Sequence, residues 1–438
     1  MSYDHDKLIK LLKESVSPWH TVLAAAGRLE EAGFEKLEFS EDWDLKAEGK
    51  YYTVCRGSSL FAFTIGKKIA GSKKLRIAAA HTDFPGFAIK NNPDMEKEGY
   101  RQINTEVYGG PILNTWLDRP LSAAGRVALA SEQVWEPEIR LVDLKEPFCV
   151  IPNLAIHMNR EVNKGLELNR QRDLMPVAGL GGESQSKDRF MRFLAEKLQV
   201  EKEQILDFEL RLYCAQDPVF AGMDREFILA PHLDNTTSIQ ALLDGIGLNG
   251  QEIPDGIRMA VMFDHEEIGS RTKQGAASML LRDVIGKIAQ EIENRIPLEG
   301  CGDGDICRRL MEDAIMLSVD VAHGLHPNHG NKMDPTNRPV LGKGLCIKEA
   351  SSQSYATDSE AVAVFQQICR REGIPWQKFV NRSDQPGGST LGAVSAAFLP
   401  VPVVDIGIPL LAMHSAVELM GKDDMEALSR CITAFFLL

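Results

Sequence analysis

Asp264-His265-Glu266-Glu267 places two adjacent carboxylates directly after an apolar run, residues 257–263, that reads as a buried strand. Packing gives no reason for them. A buried charge costs several kcal/mol unless a metal, an ionic partner or a proton compensates it. Neighbouring glutamates also diverge, so one can bind a metal while the other moves a proton. Taken alone, the tetrad could equally be a solvated turn.

Three other strand ends carry residues of the same kind. His81 and Asp83 follow a predicted strand at 75–80, Asp320 follows one at 314–319, and His414 comes shortly after one at 401–404. Asp234, in Pro231-His232-Leu233-Asp234-Asn235, precedes a predicted helix. Singly, each has an ordinary explanation: a strand-end histidine is usually a satisfied polar residue, and an aspartate before a helix is usually an N-cap. In open α/β sheets, however, ligands bind beyond the carboxyl ends of the strands, so these residues converge on one edge. His81, Asp234, Glu267, Asp320 and His414 supply two imidazoles and three carboxylates, a set that suits zinc or a similar divalent ion. Five ligands exceed one open tetrahedral site and fit two if one carboxylate bridges. Two ions can activate a water and polarise a carbonyl. Glu266, beside a ligand but free itself, is the natural general base, and Asp83 can accept the second ring N–H of His81.

The elements that must position these residues alternate between helix and strand. Two helices open the chain, marked by Leu8, Ile9, Leu11 and Leu12 and by Val22, Leu23, Ala26 and Leu29, with Gly33 as a stop. From about residue 92 to 222 short strand-like pieces (139–141, 148–151, 208–213) surround one amphipathic helix bearing Phe190, Phe193, Leu194 and Leu198. Helical spacing returns at Ile239, Leu242, Leu243 and Ile246, and Thr357 with Glu360 forms a capping-box pattern before a helix that stops near Gly373. The expected architecture is α/β: a mixed sheet flanked by helices, split by an inserted, mainly β domain. Residues 1–91 and 222–438 form the discontinuous catalytic domain, and 92–221 the insertion.

The 438 residues, 44% hydrophobic and 25% charged, suffice for two or three domains. The net charge of −13 disfavours nonspecific nucleic-acid binding. No apolar run reaches the roughly 18 residues of a membrane span, and the polar, acidic N-terminus does not read as a signal peptide, so a cytoplasmic location is expected. The eight cysteines lack CxxC spacing and read as reduced thiols, and the stretch 301–307 reads as a loop, not a zinc knuckle.

Over essentially its whole length the chain resembles the aspartyl aminopeptidase and aminopeptidase I group of zinc metallopeptidases. The resemblance is carried by His81-Thr-Asp-Phe-Pro-Gly86, Asn114-Thr-Trp-Leu-Asp-Arg-Pro120, Pro231-His-Leu-Asp-Asn235, residues 264–270, Asp320-Val-Ala-His-Gly-Leu-His-Pro-Asn328, Ile347-Lys348, Tyr355-Ala356 and Leu411-Ala-Met-His-Ser415. It implies two divalent metal ions per subunit, zinc first with manganese or cobalt as alternatives. His81 and Asp320 would be the terminal ligands of one, Glu267 and His414 of the other, and Asp234 the bridge. It further implies Glu266 as general base, Asp83 behind His81, and His323, Lys348 and Tyr355 lining the substrate pocket. His157 matches a histidine that relatives insert into a neighbouring subunit's site. The family's insertion dimerises, its dimers form a tetrahedral dodecamer, and its substrates are peptides with an acidic first residue. Three positions depart from the family pattern: Phe84 where Ser is expected, His232 where Arg is usual, and Gln385-Pro-Gly-Gly388 where Thr-Pro-Cys-Gly is common. The alternatives are a broad or neutral two-metal aminopeptidase, a deacylase on the same core, or a non-catalytic shell that keeps metals as structural staples.

Overall fold

Four parallel strands form the centre of a nine-stranded sheet, in the spatial order Ile257–Phe263, Leu75–His81, Ala314–Val319, Val403–Gly407. The computed structural model describes residues 3–69, 73–181, 188–247, 251–295, 306–385 and 387–438. Ile257–Phe263 is buried at every position, Arg258 included, as a strand in a sheet covered on both faces must be. Successive side chains alternate between two separate cores. Ala78, Ala80, Ala260, Met262, Leu317 and Val319 pack with the helices Leu233–Ile246 and Lys422–Leu437, whereas Ile77, Ala79, Met259, Val261 and Met316 pack with Leu280–Arg295. Each fully buried large aliphatic chain contributes about 1.5–3 kcal/mol, so the strand ends are held from both faces.

The flanking strands make the sheet mixed. Ser59–Ile65 pairs antiparallel with Ile257–Phe263, and Leu345–Glu349 pairs antiparallel with Val403–Gly407. Gly407 is required where it stands: a Cβ there would overlap the Asp320 carbonyl oxygen.

A second, wholly antiparallel sheet lies within residues 86–214, in the order Glu138–Asp143, Leu121–Leu129, Ile205–Cys214, Gly86–Lys97, Tyr100–Tyr108, Val177–Leu180. The helix Arg189–Leu198 closes its core with Phe190 and Leu194. A third, five-stranded sheet runs Val219–Ala221, Phe227–Ala230, Glu418–Gly421, Pro409–Leu411, Ala322–His323.

Some local expectations shift. Residues 148–151 form single bridges to different partners (Leu121, Val177 and Leu117) and so build no ladder. The helix Ser359–Glu372 is capped by Asp358, which accepts the Ala361 N–H, because the Thr357 hydroxyl instead donates to the Lys348 carbonyl. The sheet strand expected at 401–404 runs Val403–Gly407, and two short strands and a helix follow it. The loop expected at 301–307 lies mostly outside the described residues, and Cys307 sits in the helix Ile306–Glu312. Among the described residues no disulfide joins the cysteines, and no helix is long and apolar enough to cross a membrane.

Candidate metal centre at the strand ends

Three of the four central strands each deliver one part of the cluster. His81 ends the first, Asp320 follows Val319, and a short 3-10 turn, Glu266–Ile268, follows Phe263. The fourth part comes from the third sheet, where Pro409–Leu411 and Glu418–Gly421 form a hairpin whose loop carries His414. Phe227–Ala230 of the same sheet leads into Asp234, whose backbone is not yet helical although it opens the helix Leu233–Ile246. Asp234 does not point along that helix as a cap would: its two oxygens face two different imidazoles.

His81 Nε2 lies 3.3 Å from Asp234 Oδ1 and 3.5 Å from Asp320 Oδ1. His414 Nε2 lies 3.4 Å from Asp234 Oδ2 and 3.5 Å from Glu267 Oε2. Two groups therefore meet at Asp234: His81, Asp234 and Asp320, and Asp234, Glu267 and His414, each with its ligand atoms within 4.8 Å of one another. His81, Glu266 and Glu267 form a third such group. Atoms held 2.0–2.1 Å from a tetrahedral zinc stand roughly 3.3–3.4 Å apart, close to these separations. Asp234 Oδ1 is moreover a buried acceptor with no hydrogen-bond partner. The residues present fit a divalent cation.

Electrostatics points the same way. Five carboxyls, Asp83, Asp234, Glu266, Glu267 and Asp320, converge here, and Lys348 acts on Asp320. Burial pushes the Glu266 carboxyl up to about 8; His81 opposes this, and Asp320, Asp83 and Asp234 reinforce it. Glu267 is likewise raised, by burial and then by Asp234. Burial lowers both imidazoles, but the facing carboxylates win: His81 is raised, and His414 is raised to about 10. Burial acts to raise Asp234 and Asp320 as well, but His414 and His81 hold Asp234 down, and Lys348 and His81 hold Asp320 down. A cluster that binds protons this readily has the charge demand a divalent ion satisfies.

Asp83 organises one side of the site. Its Oδ1 accepts the Glu266 N–H at 3.0 Å; its Oδ2 accepts the Glu267 N–H at 3.1 Å and the Tyr108 hydroxyl at 2.7 Å. The His81 ring Nδ1 lies 3.0 Å from the Asp83 carbonyl oxygen and 3.4 Å from Oδ1, so the backbone shares the role expected of the side chain. Asp264 and His265 stand outside the cluster. Asp264 accepts the His265 N–H and the Gln274 side chain, and the His265 ring meets Thr272, so both shape the turn.

Lys348 is 2% exposed, and its Nζ donates to Asp320 Oδ2 at 3.2 Å and to the Val321 carbonyl at 3.0 Å, 5.2 Å above the Tyr355 ring. Tyr355 is buried, and Phe379 lies between it and the exposed His323, with ring centroids 6.2 and 5.7 Å away. His157 lies elsewhere, exposed in a turn with Leu154, Ile156 and Met158 also exposed. Two of the departures from the family pattern meet in space: Phe84 and His232 stack at 3.6 Å and 13°. Pro386 of the third lies outside the described residues. Sequence reasoning missed Glu418, a buried carboxylate beside Asp234 and His414, and Tyr108.

Residues 11–436 match the family described as aminopeptidase I zinc metalloprotease (M18). The chain is 43% identical over 421 residues to a probable M18 family aminopeptidase 2 of Clostridium novyi, covering 96% of this chain and 95% of the relative. It is 39% identical over 434 residues to a protein of the same description from Azotobacter vinelandii, covering 98% and 97%. Among solved structures it is similar to the Ape4 and Nbr1 complex, with a TM-score of 0.92 at 30% identity over 98% of this chain and 84% of that one. It is also similar to the S. cerevisiae mApe1 dodecamer, with a TM-score of 0.83 at 25% identity over 98% and 95%.

Proposed function

The chain belongs to the aminopeptidase I zinc metalloprotease family, a family of peptide-bond hydrolases, and from that premise we propose a two-metal aminopeptidase that prefers an acidic first residue. The observation that carries the two-metal part is the double face of Asp234, with one oxygen toward His81 and the other toward His414. His81 and Asp320 with Asp234 Oδ1 would hold one ion; Glu267 and His414 with Asp234 Oδ2 would hold the other. Zinc suits this donor set, and manganese or cobalt is the alternative. When bound, the ions supply Lewis-acid polarisation of the scissile carbonyl and a lowered pKa for water.

The chain's own residues do the rest. Glu266 takes a proton from the water as its oxygen bonds to the carbonyl carbon. It returns that proton to the leaving amine as the C–N bond breaks. Burial raises the proton affinity of Glu266, which suits a group that must both accept and release. Asp83 fixes the Glu266 and Glu267 backbones, so base and ligand keep their relative position.

The acidic preference rests on Lys348. An ammonium has three N–H donors; two meet Asp320 and Val321, and the third is left for a substrate carboxylate, with Tyr355 and His323 lining the approach. One observation favours the competing neutral specificity: Lys348 is already paired with Asp320. We assign residues 92–221 to an inserted dimerisation domain, supported by the exposed apolar side chains around His157, and place His157 in a partner's site. A tetrahedral dodecamer in the cytoplasm, acting on peptides, completes the reading.

Turnover of Asp-, Glu-, Leu- and Lys-amide substrates before and after chelation tests it. The reading expects chelator-sensitive hydrolysis, fastest on Asp or Glu. A best rate on Leu removes the acidic preference, and full activity in the metal-free protein removes the metal mechanism.

A further inference from the structure

Glu418 opens the last strand of the hairpin that carries His414 and is 2% exposed. Its two oxygens are divided between two loops. Oε1 accepts the His414 N–H at 2.7 Å, four residues away, and Oε2 accepts the Asp234 N–H at 3.0 Å, 184 residues away. Burial and then Asp234 push this carboxyl up to about 8, and the two backbone N–H groups act against that shift by favouring its ionised form. Once ionised, it accepts them in charge-assisted bonds, roughly twice as strong as neutral ones. His414 needs such an anchor, because its φ of 67° lies in the left-handed region, which is strained for a non-glycine residue. The ring of the same residue is steadied by the Gly110 carbonyl, 3.1 Å from Nδ1.

This arrangement is the counterpart of Asp83, which grips the backbones of Glu266 and Glu267. We propose that Glu418 is a positioning residue that clamps Asp234 to His414 and so sets the affinity of the second cation position, the one shared by Glu267, His414 and Asp234. The inference rests on the two-metal reading above. It goes beyond it by making the two positions unequal in what supports them: Glu418 holds two residues of the second position, His414 and Asp234, but of the first position only the shared Asp234.

An amide at 418 can accept from only one of the two N–H groups and turns its own N–H₂ toward the other. The experiment titrates zinc into metal-free, full-length protein against a chromophoric chelator, with thermal unfolding of the metal-free forms recorded alongside. Wild-type protein must first bind two ions per subunit; fewer would overturn the two-metal reading itself. Glu418→Gln is then placed in two backgrounds. In His81→Ala, where the remaining position is that of Glu267 and His414, zinc affinity falls by roughly 10- to 100-fold, the usual effect of losing an outer partner of a ligand. In His414→Ala the remaining ion is weakened at least about tenfold less than that. Equal weakening in both backgrounds, or none in either, overturns the proposal while leaving the two-metal reading intact. Should Glu418→Gln not fold, Glu418→Asp, which keeps the charge but withdraws it by one methylene, is judged by the same comparison.

Discussion

Replacing Asp83 by Asn changes one oxygen into an N–H₂ group and little else in volume. With the nitrogen at the Oδ1 position it faces the Glu266 N–H; at Oδ2 it faces the Glu267 N–H and the Tyr108 hydroxyl. Tyr108 can turn to accept, but a backbone N–H cannot, so either orientation leaves one buried donor unsatisfied. That costs about 1–3 kcal/mol, and the bonds that survive lose their charge assistance. If about 1.5–3 kcal/mol reaches the placement of Glu266 and Glu267, kcat/KM falls roughly 10- to 100-fold. Steady-state kinetics on an aminoacyl amide at saturating zinc reads this loss. None of the proposed metal ligands is altered, so on the two-metal reading two ions should still bind at high zinc. A variant within twofold of wild type would refute the idea that Asp83 holds base and ligand in place.

Other perturbations separate the remaining roles. Lys348→Met leaves Asp320 without its cation; breaking such a buried pair costs about 3–5 kcal/mol, so the thermal midpoint should fall, and the Asp-to-Leu substrate ratio should collapse further than the shared loss of rate. An unchanged ratio would remove Lys348 from specificity. His157→Ala should lower activity without altering zinc content or thermal midpoint, and dilution of wild type into monomers should lower it too; a fully active monomer contradicts the shared site. Asp424 accepts the N–H groups of Gly342 and Gly344, and burial, which outweighs them, pushes its carboxyl up to about 7. Because the folded value lies above the unfolded one, the linked stability is complete below about pH 4 and is lost as pH rises through about 7, by at most on the order of 4 kcal/mol. Asp424→Asn cannot ionise, so calorimetry should show the midpoint difference moving in the variant's favour between those limits; a pH-independent difference would contradict the assignment.

The convergence of the proposed ligands was legible because each rides on the end of a sheet strand, or just beyond one, and an apolar run followed by a charged residue is a local signal. Ile257–Phe263 and Ala314–Val319 run where largely apolar stretches of strand length place them. What sequence could not show is what acts between distant backbones. Glu418 bonds to an N–H 184 residues away, and only an isolated carboxylate in Ala416-Val417-Glu418-Leu419-Met420 hinted at it. Thr357 was misread as a cap because its hydroxyl is claimed by Lys348, on a neighbouring strand. Lys348 itself would pass for a surface lysine on composition alone, yet it is buried and bonded to Asp320. Phe84 and His232 stood as separate oddities in the chain, and their stacking is a tertiary fact.

The central claim is that Glu267 binds a metal while its neighbour Glu266 moves the proton. Glu266→Gln tests it most directly, with metal content and turnover measured on the same sample. The account predicts two ions per subunit, as in wild type, with hydrolysis abolished. A Glu266→Gln protein that carries both ions and still turns over, or one that is inactive because an ion is missing, would contradict it.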